Sequence, residues 1–206
     1  MTTPDAQVLR TACESVAACD PILAKAYAEI DLPNWRTADA TYQTLARVVV
    51  YQLISTKAAE AIWGRILDRY GTVTAADVLQ DNQEELRACG LSRPKLAHLN
   101  SIAMAVDTGA LDFERLARAD MDTSRKELLA VSGIGPWTAE TFLMNALGRL
   151  DAFPVGDVGL MEAYKRLSGA ETRPDHKQFS ALAETWRPYR AVAAHLLYDW
   201  LNANRA

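Results

Sequence analysis

Apolar residues return every three or four positions along nearly the whole chain, and no convincing stretch alternates apolar with polar between hairpin turns. That periodicity constrains the fold more than any other feature. It puts an apolar stripe on one face of each helix, and such stripes are buried most readily against one another. From Leu45 the pattern runs through Val48, Val49, Leu53, Ala59, Ile62, Trp63, Ile66, Leu67 and Tyr70, and Gly71 supplies a left-handed stop. Asn82 reads as an N-cap with Glu85 three residues on, opening a helix that ends at Cys89-Gly90. Ser92 caps a helix carrying Leu96, Leu99, Ile102 and Val106, ended by Gly109. Asp122 or Thr123 opens a short helix through Leu128, Leu129 and Val131, and a further helix runs from Pro136 to about Leu147, stopped by Gly148. Two more follow Pro174, with Phe179 and Leu182, and Pro188, with Val192, Leu196 and Leu201. The expected class is all-α, with about eight to ten helices and short connections.

Half of the 206 residues are hydrophobic, enough to bury a core in one compact unit or two small lobes. The formal net charge of −4 means that the surface as a whole is no basic nucleic-acid binder. Cys13, Cys19 and Cys89 are an odd set without a CxxC pair, which argues against a disulfide framework, a zinc ribbon and a four-cysteine iron–sulfur site. His98, His176 and His195 share no ligand spacing, so they read as structural or surface residues and no catalytic metal is expected. The opening Met1-Thr2-Thr3-Pro4-Asp5 lacks the shape of a signal peptide, and no apolar run approaches membrane-spanning length. The expected location is the cytoplasm, or the nucleoid of a bacterium.

The most informative stretch is Leu128-Leu129-Ala130-Val131-Ser132-Gly133-Ile134-Gly135-Pro136-Trp137-Thr138-Ala139. A helix enters a turn of two glycines around one apolar residue, and a second helix starts at once with proline at its first position. Glycine is needed where φ is positive or where another backbone comes close. Ile134 can plug the core and pin the turn. The amides that open the second helix then face outward and suit an anion such as a DNA phosphate, which lets an acidic chain hold DNA without net charge. Arg125, Lys126 and Arg149 lie close in sequence and can add local positive charge. Taken alone, the same turn also fits a plain αα-corner.

The turn is followed by Asp151-Ala152-Phe153-Pro154-Val155-Gly156-Asp157. Together these segments resemble the helix-hairpin-helix (HhH-GPD) DNA glycosylase superfamily, and more narrowly the 3-methyladenine DNA glycosylase II family. Tyr51-Gln52-Leu53-Ile54-Ser55 is similar to that family's Gln-Leu/Ile-x-Ser helix start. The run from Leu86 to Lys95 is similar to its LRxxGLSxxK segment, and Trp186-Arg187-Pro188-Tyr189-Arg190 to its WRPxR element. The motifs occur in family order from about residue 41 to 200; the first forty residues match weakly.

The resemblance implies a two-lobed helical fold with the active-site cleft between the lobes. One lobe would be 45–155, ending in the helix-hairpin-helix at about 123–147; the other would combine 1–44 with 156–206. It implies a monofunctional enzyme that flips alkylated bases out of double-stranded DNA and hydrolyses the N-glycosidic bond, leaving an abasic site. The catalytic aspartate falls on Asp157, a residue that by itself reads as the N-cap of a helix carrying Leu160, Tyr164 and Leu167. Asp151, six residues earlier, reads as structural. Trp137 stands where glycosylases that also cut the backbone carry a lysine, and an indole cannot attack the sugar as an amine does.

The base pocket falls on Trp137 and Tyr198, whose ring faces would attract a cationic alkylated purine. Thr141 replaces a second pocket aromatic and leaves that side more open. Leu53, with Gln52 beside it, takes the place of the wedge that fills the gap in the duplex; read from periodicity, Leu53 is core. Trp35, Tyr42 and Tyr51 either line the cleft or are ordinary core aromatics. Ser132, Gly133, Ile134, Gly135 and Thr138 form the phosphate-binding hairpin, where backbone carbonyls can hold a Na+ or K+ ion; no other cofactor is expected. The partner is duplex DNA, without a membrane, and the enzyme is expected to be a monomer. The alternative is a non-catalytic helix-hairpin-helix DNA-binding or damage-sensing protein.

Overall fold

The computed structural model describes residues 3–81 and 83–204. The described residues form thirteen α-helices and no strand, more helices than the periodicity indicated. The additional ones are short or lie in the first thirty residues. α1 (Ala6–Cys19) and α2 (Pro21–Ile30) are separated by Asp20, which caps α2 by accepting from Ile22 N at 2.8 Å. The pattern from Leu45 to Tyr70 is divided into α3 (Tyr42–Tyr51) and α4 (Thr56–Tyr70). Between them Gln52 is non-helical, Leu53 sits at φ 58°, and Ser55 caps α4. The apolar spacing carries through the break, so periodicity could not reveal it.

α5 (Ala75–Gln80) opens on a Thr74/Asp77 capping box. α6 (Gln83–Ala88) follows; the expected Asn82 cap lies outside the described residues. α7 (Arg93–Asp107) is capped by Ser92, as expected, with Gly109 at φ 71° beyond its end. α8 (Phe113–Arg118) leads to α9 (Met121–Leu129), whose cap is Asp120 rather than Asp122 or Thr123. The Asp120 carboxylate accepts both the Thr123 amide at 2.9 Å and its hydroxyl at 2.7 Å, which draws the helix start forward. α10 (Pro136–Asn145), α11 (Val158–Ser168), α12 (His176–Glu184) and α13 (Arg190–Ala203) complete the chain. No helix of the described residues is long and apolar enough to cross a membrane.

The chain divides into two compact units, Met1–Thr37 with Gly148–Ala206, and Ala38–Leu147. The divisions fall before Ala38 and after Leu147, where the sequence reading set them at 44/45 and 155/156. Thr41 already caps α3, and Gly148, at φ 61°, ends the segment that α10 begins, so both breaks precede the residues at which periodicity becomes visible.

In Met1–Thr37 with Gly148–Ala206, α13 is central and packs on α1, α2 and α11. Every residue from Arg190 to Leu197 is buried, and alanines at 191, 193 and 194 let neighbours approach from several sides. Phe153, Tyr164, Phe179 and Trp186 form an aromatic cluster with centroid separations of 5.5–5.9 Å. The buried Asp20 carboxylate accepts from Trp186 Nε1 at 3.0 Å and the Tyr164 hydroxyl at 3.1 Å, so its burial is compensated by hydrogen bonds. In Ala38–Leu147, α7 packs on α3 and α5, and α10 packs on α3 and α9.

Candidate active site

The hairpin joins α9 to α10. Ile134 is buried, and its amide donates to the Val131 carbonyl at 3.1 Å, so it plugs the turn as expected. Gly133 meets both demands on a glycine. It sits at φ +93°, and a Cβ there would lie 2.6 Å from His98 Cβ and 2.9 Å from His98 Cα. Gly135 meets neither: its φ is −86°, and no atom stands within 4 Å of where its Cβ would be. As the N-cap of α10 it has no side chain with which to cap the helix, and no side chain supplies that bond. Amides left without intrahelical partners at a helix start attract anions. Ser132 is exposed. Thr138 is buried, and its hydroxyl accepts from Gln52 Nε2 at 2.5 Å, so its side chain serves the interior. Local positive charge is smaller than the residue count suggests, because Arg125 pairs with Glu140 and Asp122. Lys126 is exposed.

The Gln52 bond ties the loop between α3 and α4 to α10. A second tie comes from α7, where Lys95 Nζ donates to the Val50 carbonyl at 2.6 Å. Burial draws the Lys95 ammonium below its ordinary range. Directly after these anchors Leu53 is fully exposed, at 104%. The core reading of Leu53 therefore fails. A leucine held outside at a positive φ gains nothing from burial and tolerates an unfavourable backbone.

Trp137 lies in the first turn of α10 and is half-buried. Thr141, one turn on, is buried, and its hydroxyl has no hydrogen-bond partner. Trp35 and Tyr42 are core aromatics. Trp35 stacks on His195 with centroids 4.1 Å apart, and the Tyr42 hydroxyl donates to Leu99 O at 3.0 Å. Tyr51 is half-buried, with the Arg47 guanidinium over its ring. Among the described residues no group of three or more His, Cys, Asp or Glu could hold a metal ion.

Asp157 follows a tight loop in which its own amide donates to Pro154 O at 2.8 Å. It is half-buried and caps α11, with Oδ1 accepting from Leu160 N at 3.0 Å. Tyr198 lies beside this carboxylate. Burial, followed by the Asp157 charge, raises Tyr198 well above its ordinary value, so the phenol stays a donor. Room for this pair comes from Gly159, where a Cβ would lie 3.1 Å from Asp157 Oδ1 and 3.8 Å from Tyr198 Cε1. Asp151 is occupied differently. It accepts from Arg190 Nε at 2.8 Å, Arg190 Nη2 at 3.0 Å and Arg187 Nη1 at 2.6 Å. The two arginines of the WRPxR-like element thus hold the strand of chain leading to Asp157, and Asp151 is structural.

Asp157 and Tyr198 belong to the unit Met1–Thr37 with Gly148–Ala206; Gln52, Leu53, the hairpin, Trp137 and Thr141 belong to Ala38–Leu147. Sequence reasoning missed two contributors. Lys95 stood in a quoted motif but without a role. Arg36, whose guanidinium lies 4.6 Å from the Tyr198 ring centroid, comes from the weakly matching first forty residues and gives no local signal.

The family model described as HhH-GPD superfamily base excision DNA repair protein matches residues 46–188. A probable bifunctional transcriptional activator/DNA repair enzyme AlkA of Mycobacterium tuberculosis is 32% identical over 174 residues, 81% of this chain and 34% of that protein. The chain thus spans about a third of that relative's length. The crystal structure of a DNA-3-methyladenine glycosidase from Bacillus halodurans superposes with a TM-score of 0.75 at 34% identity, covering 92% of this chain and 88% of that one. The Schizosaccharomyces pombe 3-methyladenine DNA glycosylase Mag1, in complex with abasic-DNA, gives 0.83 at 27% identity, covering 95% and 98%.

Proposed function

The chain belongs to the HhH-GPD superfamily of base excision DNA repair proteins, and from that membership we propose that it is a monofunctional DNA N-glycosylase for alkylated bases such as 3-methyladenine. The observation that carries this reading is the Asp157 carboxylate, fixed at the start of α11 by the Leu160 amide and lying beside Tyr198. As the base leaves, positive charge grows on the sugar. A fixed anion stabilises that charge more in the transition state than in the ground state. The same carboxylate orients the attacking water and takes its proton. Trp137 supplies an indole where a lysine would form a covalent adduct with the sugar, so water is the nucleophile and the DNA backbone stays whole. The abasic DNA held by the S. pombe protein is the product this reaction would leave.

The unit Ala38–Leu147 grips the duplex. The amides that open α10 bind a phosphate, and the exposed Leu53 fills the space of the extruded nucleotide. The turn also fits the Na+ or K+ ion that the resemblance implies. The backbone carbonyls of Ser132, Ile134 and their neighbours would hold the ion, which would supply positive charge that attracts a phosphate. The enzyme acts as a monomer on duplex DNA. The test is release of free 3-methyladenine from methylated duplex, followed by gel analysis. Strands that remain intact until alkali is added support the proposal. Strands cut at once would refute the monofunctional part, and no released base would refute the whole.

A further inference from the structure

We propose that the duplex phosphates beside the inserted Leu53 are held by three exposed cations, Arg47, Lys57 and Arg93, carried by the ends of α3, α4 and α7 that adjoin the Leu53 loop. The inference rests on the reading of Leu53 as the residue that enters the duplex. It places the charge-dependent part of DNA binding around that loop, and not on Arg125, to which the sequence drew attention.

The sequence sets these segments apart. The chain carries a net charge of −4, yet no Asp or Glu occurs from Thr41 to Ala59 or from Leu86 to Val106. Both stretches carry basic residues, and the fold brings them together. α3 packs on α4 and on α7, and Lys95 Nζ donates to Val50 O at 2.6 Å, which seats the first turn of α7 against the last turn of α3. Arg93 opens α7 two residues before Lys95. Arg47 lies one turn before Tyr51, with its guanidinium 5.1 Å from that ring's centroid, so it is held at the end of α3 that leads into Gln52 and Leu53. Lys57 lies in the first turn of α4, four residues past Leu53. Arg65 Nε donates to Cys89 O at 2.8 Å and brings a further guanidinium to the turn that precedes Arg93. The Gln52 bond to Thr138 ties the same loop to the first turn of α10.

Elsewhere in the unit Ala38–Leu147 the arginines are engaged with carboxylates. Arg69 pairs with Asp81, Arg87 with Glu84, Arg115 with Glu127, Arg118 with Glu114, and Arg125 with Glu140. Arg47, Lys57 and Arg93 are exposed, and none of them forms an ion pair with a described residue. Glu60, one turn past Lys57, is the first carboxylate after the loop. A paired arginine must release its carboxylate to take a phosphate, whereas an unpaired one gives up only water and counterions. Leu53 is apolar and fully exposed beside these charges. Cations next to an inserted apolar residue match a duplex, whose phosphates flank the groove that the residue enters.

The test is the salt dependence of affinity for undamaged duplex, read by fluorescence anisotropy from about 50 to 200 mM salt. Arg47→Gln, Lys57→Gln and Arg93→Gln are each expected to lower the slope of log affinity against log salt by about 0.9, and the triple variant by about three times as much. Arg47→Lys and Arg93→Lys keep the charge and retain the wild-type slope. Arg118→Gln removes the same unit of charge from an exposed, paired site, so it controls for net charge and leaves the slope unchanged. Melting temperatures establish that each variant is folded. A triple variant with the slope of Arg118→Gln would overturn the proposal. The assay needs no catalysis, so the two levels of argument fail separately. Base release by wild type with an unchanged slope in the triple variant refutes the present inference alone. No base release, with the slope reduced as expected, refutes the glycosylase reading and supports the assignment of the charges.

Discussion

The two hairpin glycines allow stability and DNA binding to be separated. At Gly133 an added Cβ must occupy a backbone at φ +93° and overlap His98, at 2.6 Å from its Cβ and 2.9 Å from its Cα. The backbone term is about 1–2 kcal/mol, and overpacking against another backbone costs about 1–3 kcal/mol. Gly133→Ala is therefore expected to destabilise the protein by about 3 kcal/mol, a fall in melting temperature of about 6–12 °C for a chain of this size. At Gly135 the φ of −86° suits alanine and no atom lies within 4 Å, so Gly135→Ala should be neutral or stabilising by up to about 1 kcal/mol through the unfolded chain. A methyl added at the residue that precedes α10 would nevertheless crowd a phosphate seated on the hairpin as proposed above. Losing one charged hydrogen bond to a phosphate weakens duplex binding about ten-fold or more. Guanidinium unfolding followed by circular dichroism, and fluorescence anisotropy with labelled duplex, measure the two effects. A Gly135→Ala protein as unstable as Gly133→Ala would refute the packing argument. One that is stable and binds duplex as tightly as wild type would refute the phosphate role of the hairpin.

Leu53→Gly removes a fully exposed side chain from a positive-φ position. It should leave stability unchanged or raise it by about 1 kcal/mol, while base release from duplex falls and release from single-stranded DNA does not. A loss of stability would return Leu53 to the core. His195 gives a pH dependence. Burial pushes it down to about 4, below the ordinary unfolded value of about 6.5. As pH falls the unfolded chain takes up this proton first. The contribution is complete above pH 6.5 and is lost between 6.5 and 4, at about 1.4 kcal/mol per pH unit. Denaturant unfolding of wild type and His195→Gln across that range should show the steeper slope in wild type, and equal slopes would contradict the assignment.

The parts of the fold legible in the sequence were those with local chemistry. Ser92 and Asp157 cap helices where a short polar side chain precedes an apolar stripe, and Gly109 sits beyond its helix at positive φ. The break at Gln52–Ser55 was hidden because Leu53 keeps the helical spacing while leaving the helical backbone, and a leucine at φ 58° has no sequence signature. α5 and α8 span six residues each, too few turns for a period to emerge. The hairpin was readable as a turn, yet only packing against His98 separates the glycine that needs its freedom from the one that does not. In the site, Asp157 was identifiable by its place in a motif. The nearness of Tyr198 and the Arg36 guanidinium over its ring join residues far apart in the chain, and no spacing rule reaches them.

The most direct measurement compares wild type with Asp157→Asn on methylated duplex. Asparagine caps a helix about as well as aspartate, so α11 and the melting temperature should be preserved. Base release should fall by orders of magnitude with duplex affinity retained, since only the anion is lost. Release at the wild-type rate from a folded Asp157→Asn protein would contradict the account.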